Sequence, residues 1–267
     1  MRIIDILMNL STEIIAGIIF LVLGTVISKI PKSIKKHMLK NFFGDAIFSD
    51  NFSIVYGRVR FVDKRADAER PLVEKQYQDG RTIRFRGTKI MITGGVVDSI
   101  YHLLLELLKY KKNIKISNDE KAISNLEKTF ITLGGPVVNE MTDLALKEKS
   151  NKYIQFICTP TISRNEPWRL EIDYKGEKLI FQDIVNEGKD YGFILKVRND
   201  RYPNHFFFVC AGIRSWGSSG AAWYLSKNWK KLYKRFKSNE FIVVIKVNRG
   251  SDDTAIAVWP PQLSLSK

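Results

Sequence analysis

The feature that most constrains this chain lies near its start, where residues 14–27 (IIAGIIFLVLGTVI) carry no charge. Residues 3–10 extend the apolar character upstream, past Asp5 and Glu13. A helix over residues 3–30 would be about 42 Å long, more than the roughly 30 Å hydrocarbon layer of a bilayer. The alternatives for such a run are a cleaved signal peptide and a buried core helix. Against the first, Asp5 stands where a signal peptide carries positive charge, and no small-x-small cleavage site follows before Lys29. The expectation is one transmembrane anchor over residues 1–30.

The flanks of that run set its orientation. Arg2 stands alone before it, whereas Lys29, Lys32, Lys35, Lys36 and Lys40 follow it closely. By the positive-inside bias, the sequence predicts a single-pass protein of the cell membrane whose long C-terminal part is cytoplasmic. Pro31 ends the expected helix, and residues 31–50 read as a basic juxtamembrane linker. Its segment KSIKKHMLKNFF interleaves lysines with apolar side chains. It suits either the headgroup layer of anionic lipid or a plain stop-transfer flank.

Residues 51–267 then form one soluble, basic α/β domain. Lys plus Arg total 43 against 28 Asp plus Glu, a formal charge of +15. Such a surface attracts phospholipid headgroups or nucleic acid. The anchor favours lipid, and no aromatic-rich motif argues for base readout, so direct nucleic-acid binding is not expected.

Along this domain, residues 53–62 and 81–86 alternate cleanly and are expected to pair as a long-looped antiparallel pair. Helical patterns cover residues 96–110, 119–128, 137–147 and 220–236. Apolar strand runs cover 89–92, 113–116, 129–133, 153–158, 191–197, 206–213 and 241–247. The alternation predicts a three-layer α/β domain with a mostly parallel central sheet, with hairpins added at 168–182 and 247–259. Cys158 and Cys210 sit inside apolar runs, and His37, His102 and His205 share no ligand spacing, so neither a disulfide nor a metal site is expected.

Three constellations could carry function. The first is Arg58, Arg60, Arg84 and Arg86, which the expected strand pair would cluster, and whose guanidinium forks match phosphate oxygens. The second is the helix GAAWYLSKNWKKLYKRFK. Here Ala222, Leu225, Trp229, Leu232 and Phe236 form one apolar stripe. Lys227, Lys230, Lys231, Lys234, Arg235 and Lys237 cover the rest. Either set is a lipid-binding patch or an ordinary solvated face. The third comprises two glycine turns between strand and helix, at residues 131–139 and 209–222. There Gly134, Gly135, Arg214, Ser218 and Ser219 could hold a phosphate on exposed N–H groups. Tight turns alone also explain the glycines. Ser218 and Ser219 are the best nucleophile candidates, but no base or G-x-S-x-G pattern accompanies them, and Asp98 and Glu140 read as first-turn helix carboxylates. No catalytic residue and no cofactor is expected.

The apolar run followed by KIPKSIKKHMLK, the Arg-rich strands, the GGP-x-x-N turn and the later AG-x-x-x-x-G-x-x-G-A-A turn resemble membrane effectors encoded beside short prokaryotic Argonautes in archaea. The resemblance implies an antiviral, abortive-infection role. An Argonaute–guide complex and its associated protein would activate the effector, which then binds anionic phospholipids and depolarises the membrane. A single span encloses no pore, so the sequence predicts a homo-oligomer in the membrane, with Gly17 and Gly24 permitting close helix approach. Two other readings stay open: a tethered sensor for a nucleotide or other phosphate ligand beside Gly134, Gly135, Gly217 and Gly220, and a tethered hydrolase.

Overall fold

The computed structural model describes residues 33–58, 72–76, 82–86, 92–151, 154–157, 169–174, 177–182 and 187–260. The expected anchor lies outside the described residues, as do Arg60, Cys158 and nearly all of the strand expected at 89–92. No described helix is long and apolar enough to cross a membrane.

A seven-stranded sheet forms the middle layer. Its strands, in spatial order, are β12 (Ser251–Trp259), β11 (Phe241–Asn248), β9 (Lys189–Arg198), β10 (Phe206–Gly212), β5 (Thr129–Leu133), β1 (Phe52–Tyr56) and β4 (Lys115–Asn118). Strands β4, β1, β5 and β10 run parallel, while β9, β11 and β12 are joined antiparallel. The sheet is therefore mixed, where the sequence predicted a mostly parallel one. The reason is local: residues 199–205 connect β9 to β10 as a turn pinned by Asn199, whose side chain accepts from the Arg201 and Tyr202 amides. That connection is too short for the crossover a parallel pair needs.

On one face lie α1 (residues 33–43), α2 (Gly94–Leu107) and α5 (Ser215–Phe236); on the other lie the short α3 (Asp119–Ala122) and α4 (Glu140–Lys147). This is the three-layer α/β arrangement expected. Strands β1, β5 and β10 are covered on both sides. Thus Ile54, Ile131 and Phe208 face α1 and α5, while Val55, Phe130 and Val209 face the opposite layer. Continuous apolar runs rather than alternation are what burial on both faces requires.

Helix α1 belongs to the domain core, so the segment read as a juxtamembrane linker is folded into the domain. Its Leu39, Phe42 and Phe43 are fully buried. The Phe42 and Phe43 rings sit 5.6 and 5.0 Å from Phe208 and 6.3 and 6.4 Å from Trp229. Each buried phenylalanine contributes roughly 1.5–3 kcal/mol.

Other expectations are corrected. Among the described residues, 53–58 and 82–86 do not pair. Strand β1 is central in the large sheet, and β3 (Thr82–Arg86) pairs antiparallel with β2 (Leu72–Gln76). Strand β6 (Ile154–Ile157), expected in the main sheet, joins the hairpin of β7 (Arg169–Tyr174) and β8 (Glu177–Gln182) in a separate three-stranded sheet. The helix expected over 119–128 stops at Ala122. The β11–β12 hairpin forms as read, with Gly250 at φ 78° in its turn.

Candidate anion-binding face

Both glycine turns lie where parallel strands end, as predicted, yet each helix start already holds an internal anion. Ahead of α4, Gly134 takes φ 92° and donates its N–H to the Cys210 carbonyl. Asn139 caps α4 by accepting from the Met141 and Thr142 amides. Its amide nitrogen donates to the Val55 and Leu133 carbonyls, at 3.2 and 2.9 Å. The buried Asp119 carboxylate accepts from the Glu140 N–H at 3.0 Å. At α5, the buried Asp190 carboxylate accepts from the Gly217 N–H at 2.6 Å. Two aspartates thus stand where a phosphate would bind a helix N-terminus.

Close packing accounts for Gly217 of the second turn, as it does for Gly57 after β1. A Cβ on Gly57 would meet the Val138 carbonyl oxygen at 2.0 Å, and one on Gly217 would meet the Tyr191 oxygen at 2.2 Å. Gly135 is half-buried and Arg214 is exposed beside the turn, but Ser218 and Ser219 are buried. The Ser218 hydroxyl donates to the Arg214 carbonyl, and Ser219 to Asp252 at 2.7 Å. His102 contacts the other Asp252 oxygen at 2.9 Å. Here the carboxylate stands between serine and imidazole. In a nucleophilic triad the imidazole is central and takes the serine proton, so Ser219 has no base. The network ties α2, α5 and β12 together.

The strand pairing expected to cluster the arginines does not form, and Arg60 lies outside the described residues. Arg58 follows β1 at the carboxyl edge of the sheet and pairs with Glu120 at 2.5 Å. Arg84 and Arg86 lie on β3, in register with Glu74 and Leu72 of β2. Among the described residues, no pairing joins β3 to the strand that precedes Arg58.

The α5 stripe is as read. Ala222, Leu225, Trp229 and Leu232 are buried, while Lys227, Lys230, Lys231, Lys234 and Arg235 are exposed. The cationic C-terminal half of α5 meets the end of α2 and the start of the domain at the edge where the parallel strands begin. There the Trp229 indole donates to Glu106 at 3.0 Å, Tyr110 packs edge-on against Trp229, and Asn41 of α1 donates to the Tyr233 hydroxyl.

A cleft of about 510 Å³ opens at this junction, lined by Lys35, Lys36, Leu39, Phe48, Lys109 and Tyr110. Lys36 sits 5.1 Å from the centre of the Phe48 ring. Lys109 pairs with Glu106. Burial alone would raise the Glu106 carboxyl, but hydrogen bonds from Lys109 and Trp229 outweigh it and hold the group below its ordinary value. The cleft therefore combines three ammonium groups with an apolar wall. Sequence reasoning placed Lys35 and Lys36 in a segment suited to the headgroup layer or to a stop-transfer flank, and missed Lys109. The visible signal was the KYKK run at residues 109–112, just past the end of α2.

Compared with known protein families, curated proteins and solved structures, the chain gives no match.

Proposed function

We propose that this chain is a membrane-tethered effector whose folded domain grips anionic phospholipid phosphate at the cleft of Lys35, Lys36 and Lys109. The exposed cations of α5 add positive charge to the same side of the domain. One observation carries the reading: the cationic, apolar-backed cleft is built on α1, and α1 starts six residues after the uncharged run 14–27 ends. A headgroup phosphate meets ammonium groups there while the adjoining acyl region meets the half-buried Phe48 and Tyr110. This chemistry suits a lipid better than a free anion. The lipid contact moves from the arginine set to the lysines at the opposite edge of the sheet.

In this reading the trigger comes from the resemblance: an Argonaute complex releases or assembles the effector, and several copies together depolarise the cell membrane. The sensor reading is weaker, because Asp119 and Asp190 hold the N–H groups a phosphate would need.

The test measures fluorescent phosphatidylglycerol binding to the detergent-solubilised full-length chain. At about 1 kcal/mol per lysine, K35A/K36A/K109A should weaken binding by roughly 100-fold. Arg58→Ala should leave it unchanged, and toxicity on expression should fall with the lysine variant only. Undiminished phosphatidylglycerol binding by the triple variant would sink the assignment.

A further inference from the structure

A second cavity, of about 420 Å³, opens at the same edge, between the starts of β1, β4 and β5. Its character differs from that of the first. Lys111, Lys115 and Lys128 converge on it together with Asp50, Asn51 and Asn125. Lys111 reaches it from the α2–β4 connection, with its ammonium bonded to the Ser49 carbonyl and 5.8 Å from the Phe52 ring centre. Lys115 opens β4, and Lys128 immediately precedes β5.

The arrangement leaves positive charge uncompensated. Lys115 and Lys128 line the same cavity, and both are donors only. Burial, followed by the charge of Lys115, pushes Lys128 below the ordinary lysine range. Burial also lowers Lys111, and Asp50 opposes the shift. A chain gains nothing in stability by holding two ammonium groups together at a cavity. Like charges converging in a cleft are a mark of ligand sites.

We infer that this cavity is a binding site for a phosphate monoester dianion. Three lysines against one aspartate leave a charge of about two, which a monoester at neutral pH, carrying about −1.5 to −2, neutralises. A diester supplies only about half of that. The phosphate sits between Lys115 and Lys128, replacing their repulsion with two charge-assisted hydrogen bonds, and the asparagine amides donate to its remaining oxygens. The site takes the same chemistry from a soluble phosphorylated metabolite or from a lipid with a terminal phosphate. It stands independently of the lipid reading of the neighbouring cleft.

The test uses the full-length chain in neutral detergent, titrated calorimetrically with glycerol 3-phosphate and with dimethyl phosphate as the diester control. Parallel titrations use mixed micelles containing phosphatidic acid or phosphatidylglycerol. A monoester should bind and the diester should not. K115Q/K128Q should weaken monoester binding about tenfold or more, whereas Asp50→Asn, which removes the competing carboxylate, should tighten it. The K35A/K36A/K109A variant should retain monoester binding, which separates the fate of this site from that of the lipid cleft. Saturation by glycerol 3-phosphate identifies a soluble ligand; binding of phosphatidic acid alone identifies a lipid source. Binding of neither monoester, equal binding of the diester, or indifference to both K115Q/K128Q and Asp50→Asn overturns the inference.

Discussion

Lys196 offers the sharpest test of how this core is built. It occupies a position on β9 facing α1 and α5, is fully buried, and is ringed by Phe42, Phe206 and Phe208 at 4.4–5.6 Å. Its ammonium donates to the Ser238 carbonyl at 2.9 Å. Burial, only partly opposed by Glu240, pushes its pKa down from 10.5 to about 7. At ~1.4 kcal/mol per pH unit, that displacement costs the folded state several kcal/mol at neutral pH. Lys196→Met keeps the volume and removes the charge. It loses one hydrogen bond, whose carbonyl lies next to solvent, and three cation–π contacts. The net gain should be about 2 kcal/mol at pH 7. The sign of the pH dependence follows from the folded pKa lying below the unfolded one. Between about 7 and 10.5 the unfolded chain binds more protons, so Lys196 makes stability rise with pH through that window, by at most ~1.4 kcal/mol per unit. Below pH 7 the cost is present in full. Urea unfolding of the micelle-embedded full chain, followed by tryptophan fluorescence, should show the variant's advantage shrinking steadily from pH 7 to pH 10. Parallel stability curves for the two proteins, or a variant less stable at pH 7, would refute the argument.

Asn139→Ala should destabilise the domain by about 2–3 kcal/mol in the same unfolding assay. It strips the α4 cap and leaves the Val55 and Leu133 carbonyls without a buried donor. Glu148 is pushed up to about 7 by burial and by the neighbouring Asp200 carboxylate. Its folded pKa exceeds the unfolded one, so this group favours the fold at low pH, and that contribution is lost as pH rises from about 4.5 to 7. Glu148→Gln should flatten that part of the stability profile, and an unchanged slope would contradict the assignment.

Much of the scaffold was legible because it is written locally. Residues 129–133 form β5 with the bounds their apolar run suggests, and the 3.6-residue stripe from Ala222 to Leu232 is buried, with Phe236 half-buried at its end. Strand partners were not legible. Residues 53–56 alternate no differently whether their neighbour is β3 or β5, and the choice rests on packing across the whole sheet. Lys196 reads in sequence as a polar break in FILKV, and nothing nearby foretells three aromatic rings from other elements around it. The aspartate caps escaped for a similar reason, since Asp190 reaches Gly217 and Asp119 reaches Glu140 from distant stretches of chain. The lysine cavities are hardest to foresee, because each gathers residues from separate connections that only the closed fold brings together.

Helix α1 gives the domain a mechanical property. With Leu39, Phe42 and Phe43 seated against Phe208 and Trp229, the polypeptide just after residue 32 is no slack leash. A pull or twist applied at residue 33 is delivered to the sheet as through a lever. Conversely, a load on the sheet is felt at residue 33 without first being absorbed by a floppy joint.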